Sequence, residues 1–253
     1  LSDVIAGANI RNTSTGSSYL VFGGPKFAAT LVKLGISGAD TQAGNTASET
    51  YTGVAGNDVM TGGGGADVML GGVANDIFIL NASNVTALIN VFGAGDNLIQ
   101  LARIDGGAGM DTIRLSGTDM DLTQVTATGA STADGFSRIE SIEVIDLATD
   151  SSVNTVKIAV SDVIDMAGMN QFNSAPTASG NSWASLGATE KRHQIVVLGT
   201  ASDTVGLVDG NSVWTKMDGT TAGVLGSTYA IWNHNTAAAQ LLIDNNITVN
   251  TSP

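Results

Sequence analysis

Between Gly53 and Ile79 an aspartate recurs every nine residues, at Asp58, Asp67 and Asp76. Each lies in a glycine-rich turn and is followed two positions later by an apolar side chain. The units are Gly53–Thr61, Gly62–Leu70 and Gly71–Ile79, and a separated fourth copy spans Gly106–Arg114 around Asp111. Their common form is Gly-Gly-x-Gly-x-Asp-x-U-x, with Met60, Met69, Phe78 and Ile113 at U. Val54 replaces the second glycine of the first unit, and Ala74 the fourth-position glycine of the third. Six residues of such a unit make a tight turn, and the remaining three make a minimal strand with one side chain facing inward. If each unit turns the chain by half a circuit, alternate units stack. Asp58 then lies about one inter-strand spacing, ~4.8 Å, from Asp76.

Carboxylates that close repel one another unless a cation separates them. Turn carbonyls plus two carboxylates, with no His or Cys, form an all-oxygen cage suited to Ca2+. The expected ligands are Asp58, Asp67, Asp76 and Asp111, with the turn residues Gly53, Ala55, Gly62, Gly64, Gly71, Val73, Gly106 and Ala108. By the same stacking, Asp67 is expected to find its partner in Asp111, with residues 80–105 looping out before the chain rejoins the stack. A single copy of the motif fits an ordinary string of β-turns, where Asp is common. Three uninterrupted copies and a fourth favour the cation.

The rest of the composition agrees with a turn-dense β protein. There are 32 Gly without a Gly-X-Y period, and only 13% of residues are charged. Of 23 acidic residues, four are glutamates (Glu49, Glu140, Glu143 and Glu190), which disfavours solvated helices. A net charge of −13 with ten scattered Lys and Arg excludes a basic stripe for nucleic acid or anionic membranes. No cysteine is present, so disulfides and thiolate metal sites are excluded. No apolar run reaches the ~18 residues of a membrane span. The first residues lack the charged-then-apolar pattern of a signal peptide, so export is expected to use an address elsewhere or the chain is a fragment.

Residues 1–50 hold two short strands, and Asp3-Val4-Ile5-Ala6-Gly7-Ala8 with Phe22-Gly23 resembles one blade fragment of an FG-GAP β-propeller. They are expected to be a remnant of that kind or an N-terminal cap. The nonapeptides are similar to the repeats-in-toxin (RTX) family. That resemblance implies a parallel β-roll with Ca2+ in its turns over residues 51–117, interrupted by the insertion at 80–105. A short helix is expected near Val85–Phe92, and one or two helical turns at Ser161–Met169. Residues 118–253 read as short apolar strands between turns, forming irregular coils and a C-terminal cap. The order RIESIEVIDL, SDVIDMAGMNQF, HQIVVLGTASDTVGL and QLLIDNNITV looks like the C-terminal module of giant bacterial RTX adhesins. This likeness implies type I secretion, with an uncleaved signal within 118–253.

Other candidates read as structural. Asp203 and Asp96 each precede an apolar residue as a degenerate cation turn would place it, and each also fits a plain turn. His193 and His234 are far apart, and neither HExxH nor Gly-x-Ser-x-Gly occurs. Asp162 and Asp165, near Asp146 and Asp150, have no evident pocket for acid–base work. Trp183, Trp214 and Trp232 suit an end cap, with sugar stacking as the alternative. The chain is therefore expected to be all-β, a parallel β-roll or solenoid, and non-catalytic. Its expected role is the calcium-dependent structural region of a secreted, extracellular bacterial adhesin. The alternatives are a self-assembling surface-layer or filament subunit, and a glycan- or peptide-binding module. Expected partners are calcium ions, cell-surface glycan or protein, and further copies of the chain.

Overall fold

A computed structural model describes residues 31–125, 137–148, 151–172, 191–209, 213–224 and 227–251, together with the strand backbones 4–7 and 18–21. The N-terminal strands are β1 (Val4–Gly7), β2 (Ser18–Val21), β3 (Leu31–Leu34) and β4 (Thr41–Ala43). The repeats supply β5 (Glu49–Ala55), β6 (Val59–Thr61), β7 (Val68–Val73) and β8 (Ile77–Leu80). Helix α1 (Ala82–Ile89) precedes β9 (Arg103–Ala108), β10 (Thr112–Leu115) and β11 (Met120–Asp121). Next come β12 (Ile139–Glu140), β13 (Val144–Asp146), β14 (Thr155–Ile158) and helix α2 (Val160–Met166). The chain continues through β15 (His193–Leu198), β16 (Thr204–Leu207), β17 (Trp214–Val224), β18 (Ser227–His234), β19 (Ala239–Asp244) and β20 (Thr248–Asn250).

From β3 to β10, successive strands alternate between two sheets, each pairing in parallel with the strand before last. The first sheet runs β1-β2-β3-β5-β7-β9-β12 and the second β17-β18-β19-β15-β13-β10-β8-β6-β4. Within the repeats, Tyr51 pairs with Met69 and Met60 with Phe78, an offset of two nonapeptides. From β9 onward a third sheet, β11-β14-β16-β20, enters, so the next circuits visit three faces. After β14, helix α2 stands where another first-sheet strand would come.

The all-β expectation holds, but among the described residues the sheets are mixed and form no closed solenoid from end to end. At the start β1, β2 and β3 pair antiparallel, and at the far end β17, β18 and β19 do so. Residues 31–50, grouped by sequence with the N-terminal segment, already belong to the two repeat sheets: β3 pairs with β5 and β4 with β6, both in parallel. Asp3, Ala8 and Phe22-Gly23 of the FG-GAP-like pattern lie outside the described residues, as do Trp183 and Asp150.

Inward apolar side chains from both sheets build the core. Met60, Phe78, Ile113, Ile145, Val197 and Ile243 occupy directly paired positions across the second sheet. Tyr51, Met69, Ile104 and Ile139 do the same across the first. All ten are at most 2% exposed and belong to one cluster. A three-residue strand cannot hold such a residue out of water alone; the neighbour above and below must be present. A smaller cluster, including Phe172, Tyr229 and Leu242, covers the outer face of the second sheet near the C-terminal hairpin.

The insertion after β8 folds as α1, three residues earlier than the expected Val85. Asn81 caps it, its side chain accepting from the amides of Ser83 at 2.9 Å and Asn84 at 3.2 Å. Arg138, 1% exposed, ties the insertion to the stack. Its guanidinium donates to the carbonyls of Ala102 at 2.6 Å, Ala87 at 2.8 Å and Asn90 at 3.0 Å. Trp214 is buried and donates to Asp209 at 3.0 Å, and Trp232 packs partly buried on the main core, as a cap requires.

Phe78 touches paired neighbours on both sides, so Phe78→Ala should lower stability by about 3–5 kcal/mol. Exposed Val73→Ser should change it by less than ~0.5 kcal/mol. Urea midpoints in excess calcium check both.

Candidate metal centre

The strand pairing fixes where each carboxylate falls, because every repeat aspartate immediately precedes its strand. β4, β6, β8, β10 and β13 are successive neighbours, so Asp40, Asp58, Asp76, Asp111 and Glu143 form one column. The main chain stitches it together. The amide of Asp40 donates to Asp58 Oδ1 at 2.7 Å, that of Asp58 to Asp76 at 2.8 Å, and that of Asp76 to Asp111 at 2.7 Å. The amide of Asp111 donates to Glu143 Oε2 at 2.9 Å. Asp58 thus stacks beside Asp76 as the repeat predicts.

Asp111 continues this column, which corrects its expected pairing with Asp67. The insertion delivers the chain first to β9 on the first sheet and only then to β10, so Asp111 meets Asp76. Asp67 lies on the opposite edge, where the pairing of Val68 with Arg103 puts Ala102 at the next level. Below it is Glu49, whose amide donates to Asp67 Oδ1 at 2.8 Å.

Second oxygens separate the two edges. Oδ2 of Asp58, Asp76 and Asp111 is buried with no hydrogen-bond donor, and all three residues are 0% exposed. Each faces a small cradle beside the first glycine of its own turn. A methyl group at Gly53 would collide with Asp58 Oδ2 and the Gly71 carbonyl oxygen. At Gly71 it would meet Asp76 Oδ2 and the Gly106 carbonyl at 2.5 Å, and at Gly106 it would lie 2.6 Å from Asp111 Oδ2 and collide with the Ser141 carbonyl. Asp40, at the lower end, differs: its Oδ2 accepts from the Ile36 amide at 2.6 Å.

On the other edge, Asp67 Oδ2 accepts from Asn84 Nδ2 at 2.8 Å, and the Tyr51 hydroxyl donates to Glu49 at 3.1 Å. Burial and the neighbouring Asp67 and Glu49 charges push the Tyr51 hydroxyl far up, so it stays a donor. Of the remaining expected ligands, the carbonyls of Val73 and Ala108 accept amides from the rung below, Gly56 at 3.0 Å and Ala74 at 2.7 Å. Gly62 offers its carbonyl to Tyr51, and Gly64 lies against Ser83. Ala55 lies at the end of β5 beside Val73.

Main-chain strain marks the turns. Val54 and Ala74, which replace repeat glycines, keep the left-handed φ of 82° and 83°. Such conformations cost an L-residue about 1–2 kcal/mol, so the stack overrides local preference.

Burial pushes Asp58, Asp67, Asp76, Asp111 and Glu143 upward. Asp58 is raised by desolvation, against the lowering effect of the Asp40 amide. Desolvation likewise brings Asp76 to about 6, Asp67 and Asp111 to about 8, and Glu143 to about 7. Stacked charges on Asp58, Asp76, Glu143 and Asp105 add to the effect on Asp76 and Asp111. Groups so placed hold their protons more tightly than free carboxyls unless something else supplies positive charge. Among the described residues no three His, Cys, Asp or Glu side chains converge. A cation in a cradle therefore draws on one column of carboxylates and on turn carbonyls, an oxygen set that fits Ca2+. Orphaned carboxylate oxygens and the cradles both fit it.

Sequence reasoning missed Asp40, Glu49, Glu143 and Asn84. The first two were signalled by Gly35 and Gly44, which continue the nine-residue glycine spacing backwards from Gly53. Asp203 already has protein donors, from its own turn and from the neighbouring level. Its carboxylate accepts from the Asn154 amide at 3.0 Å and from the amide and hydroxyl of Thr200 at 2.7 and 2.9 Å. Asp96 is exposed on the insertion.

Residues 43–78 match the RTX calcium-binding nonapeptide repeat, in four copies. That match includes the Glu49 unit and stops before the separated copy at Asp111. RTX nonapeptide repeats bind Ca2+, which is the cofactor of this chain. Neither a curated protein nor a solved structure matches it.

A carboxyl raised in the folded state binds its proton more tightly there than when unfolded, so its stabilising effect is complete below the ordinary Asp range and lost as pH rises through the folded value. In chelator, β-structure should therefore be most stable in acid and weaken from about pH 4 to about pH 8. Circular dichroism melts across that range check this; a melting temperature that rises with pH contradicts it.

Proposed function

We propose that the alternating parallel strands form a calcium-loaded β-roll. On this reading the chain is the non-catalytic, calcium-dependent structural C-terminal region of a secreted bacterial surface adhesin. The observation that carries the calcium dependence is the column of buried, donor-less oxygens on Asp58, Asp76 and Asp111 within RTX-type turns. RTX repeats are found in secreted proteins, and among the described residues no helix is long and apolar enough to cross a membrane. Type I export and the adhesin context rest on the likeness of Ile104–Val249 to adhesin C-terminal modules.

The mechanism is folding coupled to binding. Extracellular calcium modules have dissociation constants of about 10⁻⁴–10⁻³ M. Where calcium is scarce, 13 net negative charges and the stacked carboxylates oppose compaction. Where it is abundant, the ion binds only the folded stack, so its binding energy becomes folding energy. An unfolded chain is the form suited to passage through a narrow exporter.

Assembly into a layer or filament is a second reading, supported by the apolar surface of the insertion. Val91, Phe92, Leu98 and Ile99 are 52–64% exposed there. Concentration-dependent light scattering in calcium would favour assembly, and a monomer at all concentrations the adhesin region.

Adding millimolar Ca2+ to the chelated protein should produce a large gain in β-type circular dichroism, reversed by chelator. A spectrum indifferent to both treatments would remove the calcium dependence.

A further inference from the structure

The repeat pattern alone would place an ion at every turn on both edges, but the two edges are chemically different. On the first, three buried carboxylate oxygens have no donor and face main-chain carbonyls. On the second, each equivalent cradle already contains a protein donor. Beside Gly44, the space between Glu49 and the Gly62 carbonyl holds the Tyr51 hydroxyl, 3.1 Å from the one and 3.2 Å from the other. Beside Gly62, a methyl group would meet Asn84 Nδ2 at 2.5 Å, the same amide that bonds to Asp67. Tyr51 and Asn84 are 0% and 3% exposed, so neither can swing aside into solvent.

We propose that calcium binds along the first edge only, at cradles defined by Asp58, Asp76 and Asp111, while Tyr51 and Asn84 stand in for the ion on the second. This deepens the calcium-roll reading and rests on it. The uppermost of the three sites is closed from outside the RTX match, by the RIESIEV turn. Ser141, at φ 55°, directs its carbonyl onto the Gly106 cradle, as the Gly106 and Gly71 carbonyls do one and two levels below. A groove of about 920 Å³, bordered by Gly107, Ser141, Glu143 and Gln171, opens beside this level and offers an ion a way in.

Charge explains why the second edge can dispense with metal. It stacks only Glu49 and Asp67, and the next level carries Ala102. Lys33, 5.1 Å from the centre of the Tyr51 ring, adds a fixed positive charge there and favours the ionised form of Asp67. The first edge stacks four aspartates and a glutamate, a load that one donor per level does not offset. Helix α1 is thus more than an interruption: it delivers the amide that ends the metal requirement at Asp67. Strand β9, which follows the helix, takes the next level of the second edge and leaves the following nonapeptide on the first edge.

The test is the location and count of Ca2+ in the intact chain. An anomalous difference map of calcium-grown crystals should show three peaks, beside Asp58, Asp76 and Asp111, and none at Glu49 or Asp67. Native mass spectrometry should show one ion fewer in Asp111→Asn, no loss in Asp67→Asn, and one ion more in Asn84→Asp, which sets a second carboxylate against Asp67. Peaks on both edges would overturn the one-edge assignment while leaving the calcium roll standing. An empty Asp111 level beside filled lower ones would overturn the Ser141 site. Absence of bound calcium anywhere would overturn the roll reading and this inference with it.

Discussion

Repulsion between carboxylates stacked one per circuit governs this molecule. On the first edge each of Asp58, Asp76 and Asp111 gives one oxygen to the amide of the level below, which fixes the vertical register. Its other oxygen turns inward, where water is excluded and no donor waits. Backbone geometry and charge are therefore opposed: the hydrogen bonds that align the rungs bring together groups that cannot all be ionised unaided. On the proposed reading a divalent ion resolves that conflict by binding between levels, which makes the alignment favourable. The turn glycines follow from the same demand, since a side chain at Gly53, Gly71 or Gly106 would fill the space beside the free oxygen.

Hydrophobic stacking supplies the complementary force. Paired inward residues run through the second sheet from Met60 to Ile243, so the core is a column with neighbours on both sides at every level. Such a column must end somewhere. At one end the antiparallel strands β1 and β2 cover β3; at the other, the β17–β18 hairpin covers β19 and brings Trp214 and Trp232 onto the core. Unpaired strand edges invite association with other chains, and the mixed sheets reduce that exposure. Glu143 ends the acidic column in a comparable way, because its carboxylate accepts main-chain amides of Asp111 and Gly168 as well as its own.

Much of this was legible in the sequence, for reasons tied to particular residues. The nine-residue spacing of Asp58, Asp67 and Asp76 dictates two strands per circuit, and the apolar residue two positions on dictates which side chain faces inward. Glu49 was hidden because Glu replaces Asp and Tyr51 replaces a smaller U residue, although Gly44 keeps the period. The column joined by Asp111 depends on how many strands the insertion adds before it. No local pattern encodes that parity, and β9 decides it. Asn84 reads as an ordinary helical residue until the fold carries α1 against the Asp67 cradle. The third sheet was illegible because β11, β14, β16 and β20 are two to four residues long and share no repeated motif.

On the proposed reading, buried aspartates of the first edge are ionised and bound to metal when the chain is folded. Infrared difference spectroscopy of the calcium-loaded against the chelated protein observes those groups directly. A coordinated-carboxylate stretching band should appear with calcium and diminish in Asp76→Asn, the middle member of the column. A folded protein whose carboxylate bands are the same with and without calcium would contradict that reading.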